Sequence, residues 1–372
     1  MEELKFLFHF YDLHQRAGIQ RAICELSNAL VERSHEVIIA SYTKRCNIAY
    51  RLDDRVTLEE LPYPESQEKR MWTWIRKIRW GIRQAGVLRS IVKRNRPTVV
   101  VDHGTALGLL YPFPTIGGAP FVLQRHFPVK AFPYGRLLYR MLSFISSFKT
   151  VIVLTKDIAA DFRASGYRRI AVIPNPIPDE VRPFPLPHES PRIGLLLGRS
   201  TPQKGFDLFL KALALIRSDG WRFLIIGPGV ESDPLLADLV RQHDLSARVS
   251  LMSATNDPYG CIRRSSCVIM PSRYEALPMV ALESLGFGRP LIASDVDGLR
   301  NLIVNGVNGL VFPRCDVGKL AECLTSLCDH PARLVELAAN APSTITGYDA
   351  DSVVEAWRML VVRLQHGSLP AA

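Results

Sequence analysis

The sequence predicts an α/β protein built of two doubly wound, Rossmann-like domains. Three observations carry the prediction. A chain of 372 residues, 47% of them apolar, exceeds what one hydrophobic core ordinarily organises. Short apolar runs alternate with helical patterns along nearly its whole length, as parallel α/β units require. A proline-rich stretch divides that alternation into two complete series.

The first series places strands at 4–10, 36–41, 98–103, 121–126, 151–155 and 170–174. The second places them at 192–197, 222–227, 248–253, 267–271 and 290–294, with a short one at 310–312. Each is a brief apolar run bounded by polar or turn residues, the mark of a strand buried on both faces. Between the series stand Pro174, Pro176, Pro178, Pro183, Pro185, Pro187 and Pro191. Proline at that density continues neither a helix nor a central strand, so the boundary is expected within 176–191. The domains are accordingly 1–180 and 181–350. A last helical pattern at 351–365, within 351–372, is expected to pack back on the first domain. Ligands of such folds collect at the carboxyl ends of the strands, here in an expected interdomain cleft.

Charge divides along the same line. Residues 1–189 hold 28 Lys+Arg against 18 Asp+Glu, and residues 190–372 hold 18 against 18, so the net charge of +10 belongs to the first half. A basic half beside a neutral half predicts that one domain meets an anionic surface while the other handles a small molecule. The seven cysteines, Cys24, Cys46, Cys261, Cys267, Cys315, Cys323 and Cys328, form no Cys-x-x-Cys pair. That unpatterned odd set predicts reduced thiols in a cytoplasmic protein and no zinc site. Residues 1–10 lack the basic segment and cleavage site of a signal peptide, and no apolar run reaches about 18 residues, so any membrane role is expected to be peripheral.

Two segments of the second half carry chemistry. In Gly198-Arg199-Ser200-Thr201-Pro202-Gln203-Lys204-Gly205, after the strand at 192–197, the glycines permit tight backbone turns. Arg199 offers a forked guanidinium, and Lys204 a point charge close to a helix start, which itself favours anions. The pair suits a diphosphate; a solvated surface lysine is the plainer alternative. In Pro271-Ser272-Arg273-Tyr274-Glu275-Ala276-Leu277-Pro278-Met279-Val280-Ala281-Leu282-Glu283, Glu275 follows a buried strand and Glu283 lies eight residues on, in a helix expected at 279–287. Carboxylates accept hydrogen bonds from sugar and ribose hydroxyls, and past Leu277 and Pro278 the backbone N–H groups at the helix start, from Met279 on, are open to phosphate. Two ordinary surface glutamates would be the alternative.

These segments, with Ala17-Gly18-Ile19-Gln20-Arg21 and Asn305-Gly306-Val307-Asn308-Gly309-Leu310-Val311, resemble family 4 glycosyltransferases of the GT-B fold, in the family's order and over most of the chain. The resemblance implies two facing Rossmann-like domains, with the nucleotide-sugar donor on the second and the acceptor on the first. It implies that Arg199 and Lys204 neutralise the diphosphate, Glu275 holds the sugar and Glu283 the ribose. Gly18 would let backbone approach the phosphate. The donor would most often be a uridine diphosphate sugar, transferred with retention of configuration and without an obligatory metal or other cofactor. One departure stands out. Family sequences often carry Gly-Gly and then glutamate after the strand at 290–294, whereas this chain reads Asp295-Val296-Asp297-Gly298-Leu299-Arg300-Asn301, leaving Gly298 as the retained position. Asp295 and Asp297 are read as turn or cap residues and not as metal ligands.

In the first half, His103 and His126 both end expected strands. The resemblance places a histidine at His126 near donor sugar and acceptor, while His103, Gln20 and Arg21 are further acceptor-side candidates. His9 and His14 carry less weight. Residues 69–96 hold ten Lys or Arg and no acidic residue. Helical spacing gives Met71, Ile75, Ile78, Ile82 and Ala85 as an apolar stripe, with Trp80 turned away from it toward Arg76, Lys77 and Arg83. That arrangement predicts a contact with the anionic inner face of the cytoplasmic membrane; a solvated basic face with the tryptophans tucked into the domain, or an electrostatic nucleic-acid patch, is the alternative. The expected activity is transfer of a sugar to a glycan or lipid-linked acceptor in bacterial polysaccharide or lipopolysaccharide assembly. The alternatives are a nucleotide-sugar epimerase or phosphorylase of the same fold, or a non-catalytic membrane or nucleic-acid adaptor.

Overall fold

The computed structural model describes residues 3–61, 74–105, 113–127, 149–186 and 192–366, with 111, 129, 139, 140 and 143; for 45 and 74–81 it describes the backbone alone. The chain divides into two compact units, Met1–Pro176 with Ala350–Ala372, and Ile177–Asp349.

The first unit is a sheet of seven parallel strands in the order β3-β2-β1-β4-β6-β7-β8. They are β1 (Lys5–His9), β2 (Glu36–Ser41), β3 (Thr57–Glu60), β4 (Val99–Asp102), β6 (Ala119–Arg125), β7 (Val151–Val153) and β8 (Ile170–Val172); a two-residue β5 (Thr115–Ile116) pairs antiparallel with β6. Alternate residues of these strands, Phe6, Phe8, Val37, Ile39, Val99, Val101, Val122 and Ile152, face one core. Two helices close it: α1 (Gly18–Glu32) through Ile23, Leu26 and Leu30, and the C-terminal helix (Ala350–Gln365) through Val353, Trp357, Leu360 and Val361. The Trp357 ring meets Phe6 edge-on at 6.1 Å, and Arg33 Nε donates to Asp351 Oδ1 at 2.6 Å.

Helix α2 (Trp74–Asn95) corrects one expectation. Its buried face is formed by Gln84, Leu88, Ile91 and Val92, whereas Ile82, assigned above to the apolar stripe, is 68% exposed beside the exposed Arg83. From 82 to 84 a helix turns by about 200°, so Ile82 points away from the buried face. Met71 and the side chains of Ile75, Arg76, Lys77, Ile78 and Trp80 lie outside the described residues.

The second unit holds six parallel strands in the order β11-β10-β9-β12-β13-β14. These are β9 (Arg192–Leu197), β10 (Trp221–Ile226), β11 (Val249–Met252), β12 (Cys267–Met270), β13 (Leu291–Ser294) and β14 (Gly309–Phe312). Its core packs Leu196, Phe223, Ile225, Ile269 and Ile292 against Phe209, Leu213, Leu239 and Leu324 of the covering helices. A fully buried Arg289 staples the proline-rich segment to this unit, donating to the carbonyls of Phe184, Pro185, Ile262, Arg263 and Phe287. All seven cysteines are free thiols.

Each sheet reverses its winding once, between β1 and β4 and between β9 and β12. Connections leave such a point in opposite directions, so a crevice opens at the carboxyl ends of the two strands.

Candidate functional site

In the second unit the motif residues gather at that reversal. The segment after β9 turns through Gly198, forms a short 3-10 turn at Pro202–Lys204 and enters α4 (Phe206–Leu213) through Gly205. Gly205 has φ +68° and lies so close to the segment after β12 that a Cβ would stand 2.0 Å from the Pro271 carbonyl oxygen. A Cβ on Gly227 would meet the Gly198 carbonyl oxygen at 1.8 Å. Glycine is therefore obligatory at both positions, by strain and close approach at the first and by close approach at the second.

That proximity brings Lys204 onto Glu275, 71 positions away, with Nζ donating to Oε1 at 2.7 Å. Ser272 Oγ donates to the same oxygen at 2.9 Å, and Gln203 Nε2 lies 3.5 Å from Oε2. Arg273 locks the two segments together through a bidentate pair to Asp207 at 2.8 Å on each oxygen, a bond to the Pro202 carbonyl, and its own N–H to the Gln203 carbonyl at 2.7 Å. The Arg273 bonds hold the Asp207 carboxyl below the usual carboxylate range, against the opposing effect of burial. Arg199 stands exposed, with no hydrogen bond or ion pair among the described residues.

Beyond Glu275, Ala276 and Leu277 are buried and Pro278 caps α7 (Met279–Gly286), whose first N–H groups are open by helix geometry. Glu283 sits one turn into α7 with 0% exposure. The short helix α8 (Asp297–Arg300) leans on the Glu275 loop: a Cβ on Gly298 would lie 2.1 Å from the Ala276 carbonyl oxygen. Asp295 accepts from Arg300 Nε at 2.6 Å, and Asp297 lies 3.8 Å from the same guanidinium. No group of described residues is placed to hold a metal ion.

In the first unit the reversal gathers histidines. His103 Nδ1 lies 3.2 Å from His126 Nε2, with the rings stacked at 5.4 Å. Burial first, and then the Arg125 charge, pushes His126 down to about 3; His103 is held well below its ordinary value by burial, His126, His9 and Arg125. Both rings are neutral at pH 7, so one donates to the other. His9 Nδ1 meets Asp102 Oδ2 at 2.9 Å, and Thr105 gives Asp102 its N–H at 3.0 Å and its hydroxyl. His14 instead pairs with Asp12 at the surface. Gly18 opens α1, and nothing lies within 4 Å of where its Cβ would be. Gln20 and Arg21 are buried on α1, Arg21 with Glu25 at 3.9 Å and over the Tyr50 ring at 5.9 Å.

Two family descriptions match, end to end. "Glycosyltransferase Family 4" covers residues 16–181 and "Glycosyl transferases group 1" covers 179–344. The chain belongs to the family 4 glycosyltransferases. Among relatives of this family 4 glycosyltransferase is the D-inositol 3-phosphate glycosyltransferase of Rhodococcus erythropolis, 33% identical over 189 residues. That stretch is 47% of this chain and 43% of the relative, so the match spans less than half of it. Two solved structures share the GT-B fold. One is Anabaena Alr3699/HepE in complex with UDP-glucose, at TM-score 0.76 and 16% identity over 97% of this chain and all of that one. The other is the apo lipopolysaccharide outer core galactosyltransferase WaaB, at 0.71 and 17%, with the same coverage.

Sequence reasoning about this family 4 glycosyltransferase missed Asp207, Ser272, Arg273 and Ser294, whose hydroxyl bonds the Ser272 carbonyl, together with Asp102, Thr105, Arg125 and Lys149. Arg273 stands two residues before Glu275, so the motif itself contained that signal. No local pattern announces a partner 66 positions away.

Proposed function

We propose that the chain transfers a sugar, with retention, from a UDP-sugar to a glycan or lipid-linked acceptor in cell-envelope polysaccharide or lipopolysaccharide assembly. The observation that carries the reading is the Lys204–Glu275 pair, held at the switch point of the second sheet beside an unengaged Arg199. Arg199 and Lys204 supply positive charge for the diphosphate, and the open N–H groups of α7 add to it. Glu275 and Glu283 offer acceptors to sugar and ribose hydroxyls. The binding of UDP-glucose by Alr3699/HepE supports a nucleotide-sugar donor, and the name of WaaB supports an envelope role.

Glu275 already takes bonds from Lys204 and Ser272, which suits a positioning group better than a free nucleophile. In the proposed step the acceptor oxygen bonds the anomeric carbon on the face from which diphosphate departs, and the acceptor proton passes to the departing phosphate oxygen. No metal or other cofactor takes part. The neutral His126 stands as a hydrogen-bond partner for sugar or acceptor hydroxyls, with His103 orienting its ring.

The test is transfer of label from UDP-sugars to a lipid extract. Glu275→Ala and Lys204→Ala should each lower turnover by about 10²-fold or more, the scale of one lost transition-state contact. Near-normal transfer by both would sink the assignment, and label that changes sugar identity without entering lipid would favour the epimerase. Peripheral attachment to anionic membrane is part of the same reading, now supported by Ile82 exposed beside Arg83 on the basic helix. Sedimentation with anionic vesicles that is unchanged in Ile82→Ser/Arg83→Glu would count against it. No described helix is long and apolar enough to cross a membrane.

A further inference from the structure

One buried cation of the first unit has no anion among the described residues. Arg125, the last residue of β6, is 4% exposed, and its Nε and Nη2 are buried without a hydrogen-bond partner. Guanidinium donors are rarely left so, because a charge removed from water needs an acceptor to offset its desolvation. The surrounding sequence offers none. Residues 69–156 contain sixteen Lys or Arg and a single acidic residue, Asp102.

Asp102 is itself committed, since its oxygens take bonds from His9, the Thr105 N–H and the Thr105 hydroxyl. The Lys149 charge repels Arg125: Lys149, 1% exposed, donates to the Tyr111 carbonyl, lies 5.6 Å from the Phe121 ring centre, and is pushed down to about 8 by burial and by Arg125, against the pull of Asp102. His103 and His126, held neutral, add no negative charge. A side-on guanidinium edge, Nε with Nη2, matches two oxygens of a phosphate or carboxylate. On the Nη1 side stands Gly104, with φ +86°, where a Cβ would come within 3.8 Å of Nη1.

The geometry points to an oxyanion subsite in the first unit, centred on the Arg125 guanidinium beside the His103–His126 pair, which takes the phosphate or carboxylate of an acidic acceptor. Assigning that anion to the acceptor rests on the transferase reading above. The oxyanion subsite stands independently of it.

The experiment uses the full chain labelled at histidine Cε1, titrated with inorganic phosphate and separately with acetate at matched ionic strength. In Lys204→Ala, which weakens any phosphate site in the second unit, phosphate should still move the His103 and His126 resonances saturably. In Arg125→Gln the apparent affinity should fall by about tenfold or more, the loss of a charge-assisted pair. A response to phosphate alone assigns a phosphorylated acceptor, and a comparable response to acetate assigns a carboxylated one. Thermal melts separate a ligand-binding arginine from a structural one. Without added anion, Arg125→Met should melt at or above the parent temperature, because an uncompensated buried charge is gone.

Saturable shifts that are equal in Arg125→Gln and its parent, no shift with either anion, or a lower melting temperature for Arg125→Met would each overturn the proposal. Failure of UDP to bind the wild-type chain would instead strike the donor reading and leave the anion titration interpretable.

Discussion

Gly18→Ala separates function from fold at a motif glycine where an added Cβ would meet nothing within 4 Å. Gly18 is the first residue of α1, its φ is not in the left-handed region, and an added Cβ meets nothing within 4 Å. Alanine is worth up to about 1 kcal/mol over glycine inside a helix and less at its first turn, so stability should hold or rise by a few tenths. The new methyl group would occupy the approach to the first N–H groups of α1. Losing one charge-assisted hydrogen bond from backbone to phosphate costs about 1.5–3 kcal/mol, or roughly 10- to 100-fold in kcat/KM. The assay is transfer from a labelled UDP-sugar alongside thermal melting. Gly298→Ala is the contrasting control: its Cβ would fall 2.1 Å from the Ala276 carbonyl oxygen, so the Glu275 loop must shift, at about 1–3 kcal/mol, and melting temperature should fall together with turnover. Wild-type kcat/KM in Gly18→Ala at unchanged melting temperature would refute the role given to Gly18, and a clear drop in its melting temperature would refute the packing argument.

Two further outcomes follow from the second unit. The Asp207 carboxyl titrates below its unfolded value of about 3.9, so the Arg273–Asp207 pair stabilises above that pH and the contribution is lost as pH falls through the folded value. Arg273→Met should therefore be destabilised by about 1 kcal/mol at pH 7, and the difference should shrink as pH falls below the unfolded carboxylate value, leaving only the pH-independent loss of the bond to the Pro202 carbonyl; a difference that stays constant through acid would contradict the assignment. Arg289→Met strands buried carbonyls of Phe184, Pro185, Ile262, Arg263 and Phe287 and should cost about 3 kcal/mol or more in thermal unfolding, while Arg289→Lys, lacking the planar fork, should recover only part of it.

The sequence revealed what repeats and missed what is local to an edge or distant along the chain. Central strands such as β9 and β12 announce themselves as apolar runs because both faces are covered. The strand β3 does not: Thr57-Leu58-Glu59-Glu60 lies at the sheet edge, and Glu59 accepts from Arg94 Nη2 at 2.7 Å and Asn95 Nδ2 at 3.0 Å. Its polarity serves a neighbouring helix, which strand periodicity cannot express. The error on α2 has a different origin. Its two halves carry apolar stripes on different sides, and only tertiary packing decides that Leu88 and Ile91, and not Ile82, are covered. At the site, residue types in family order were legible, whereas the bonds that join them were not. The clamp of Arg273 on Asp207 spans 66 positions, and the charge of Arg125 becomes informative only once it is seen to be buried.

What makes the Glu275 region a site is the closeness of backbones more than the charges it carries. Gly205 lets the segment after β9 approach the Pro271 carbonyl, Gly227 lets β10 approach Gly198, and Gly298 lets α8 approach Ala276. Each contact is closer than any side chain would allow, and together they fix three segments around one carboxylate. Lys204 and Ser272 then reach Glu275 without long, entropically costly excursions, so the ion pair is held in place by the fold and not by its own strength. A site of that kind tolerates exchange of charged side chains better than the addition of single carbon atoms to its glycines. In a substitution scan, Lys204→Arg should therefore retain more melting stability than Gly205→Ala, although it alters the charged group itself. The reverse order would mean that the ion pair holds the loops and the backbone contacts merely follow.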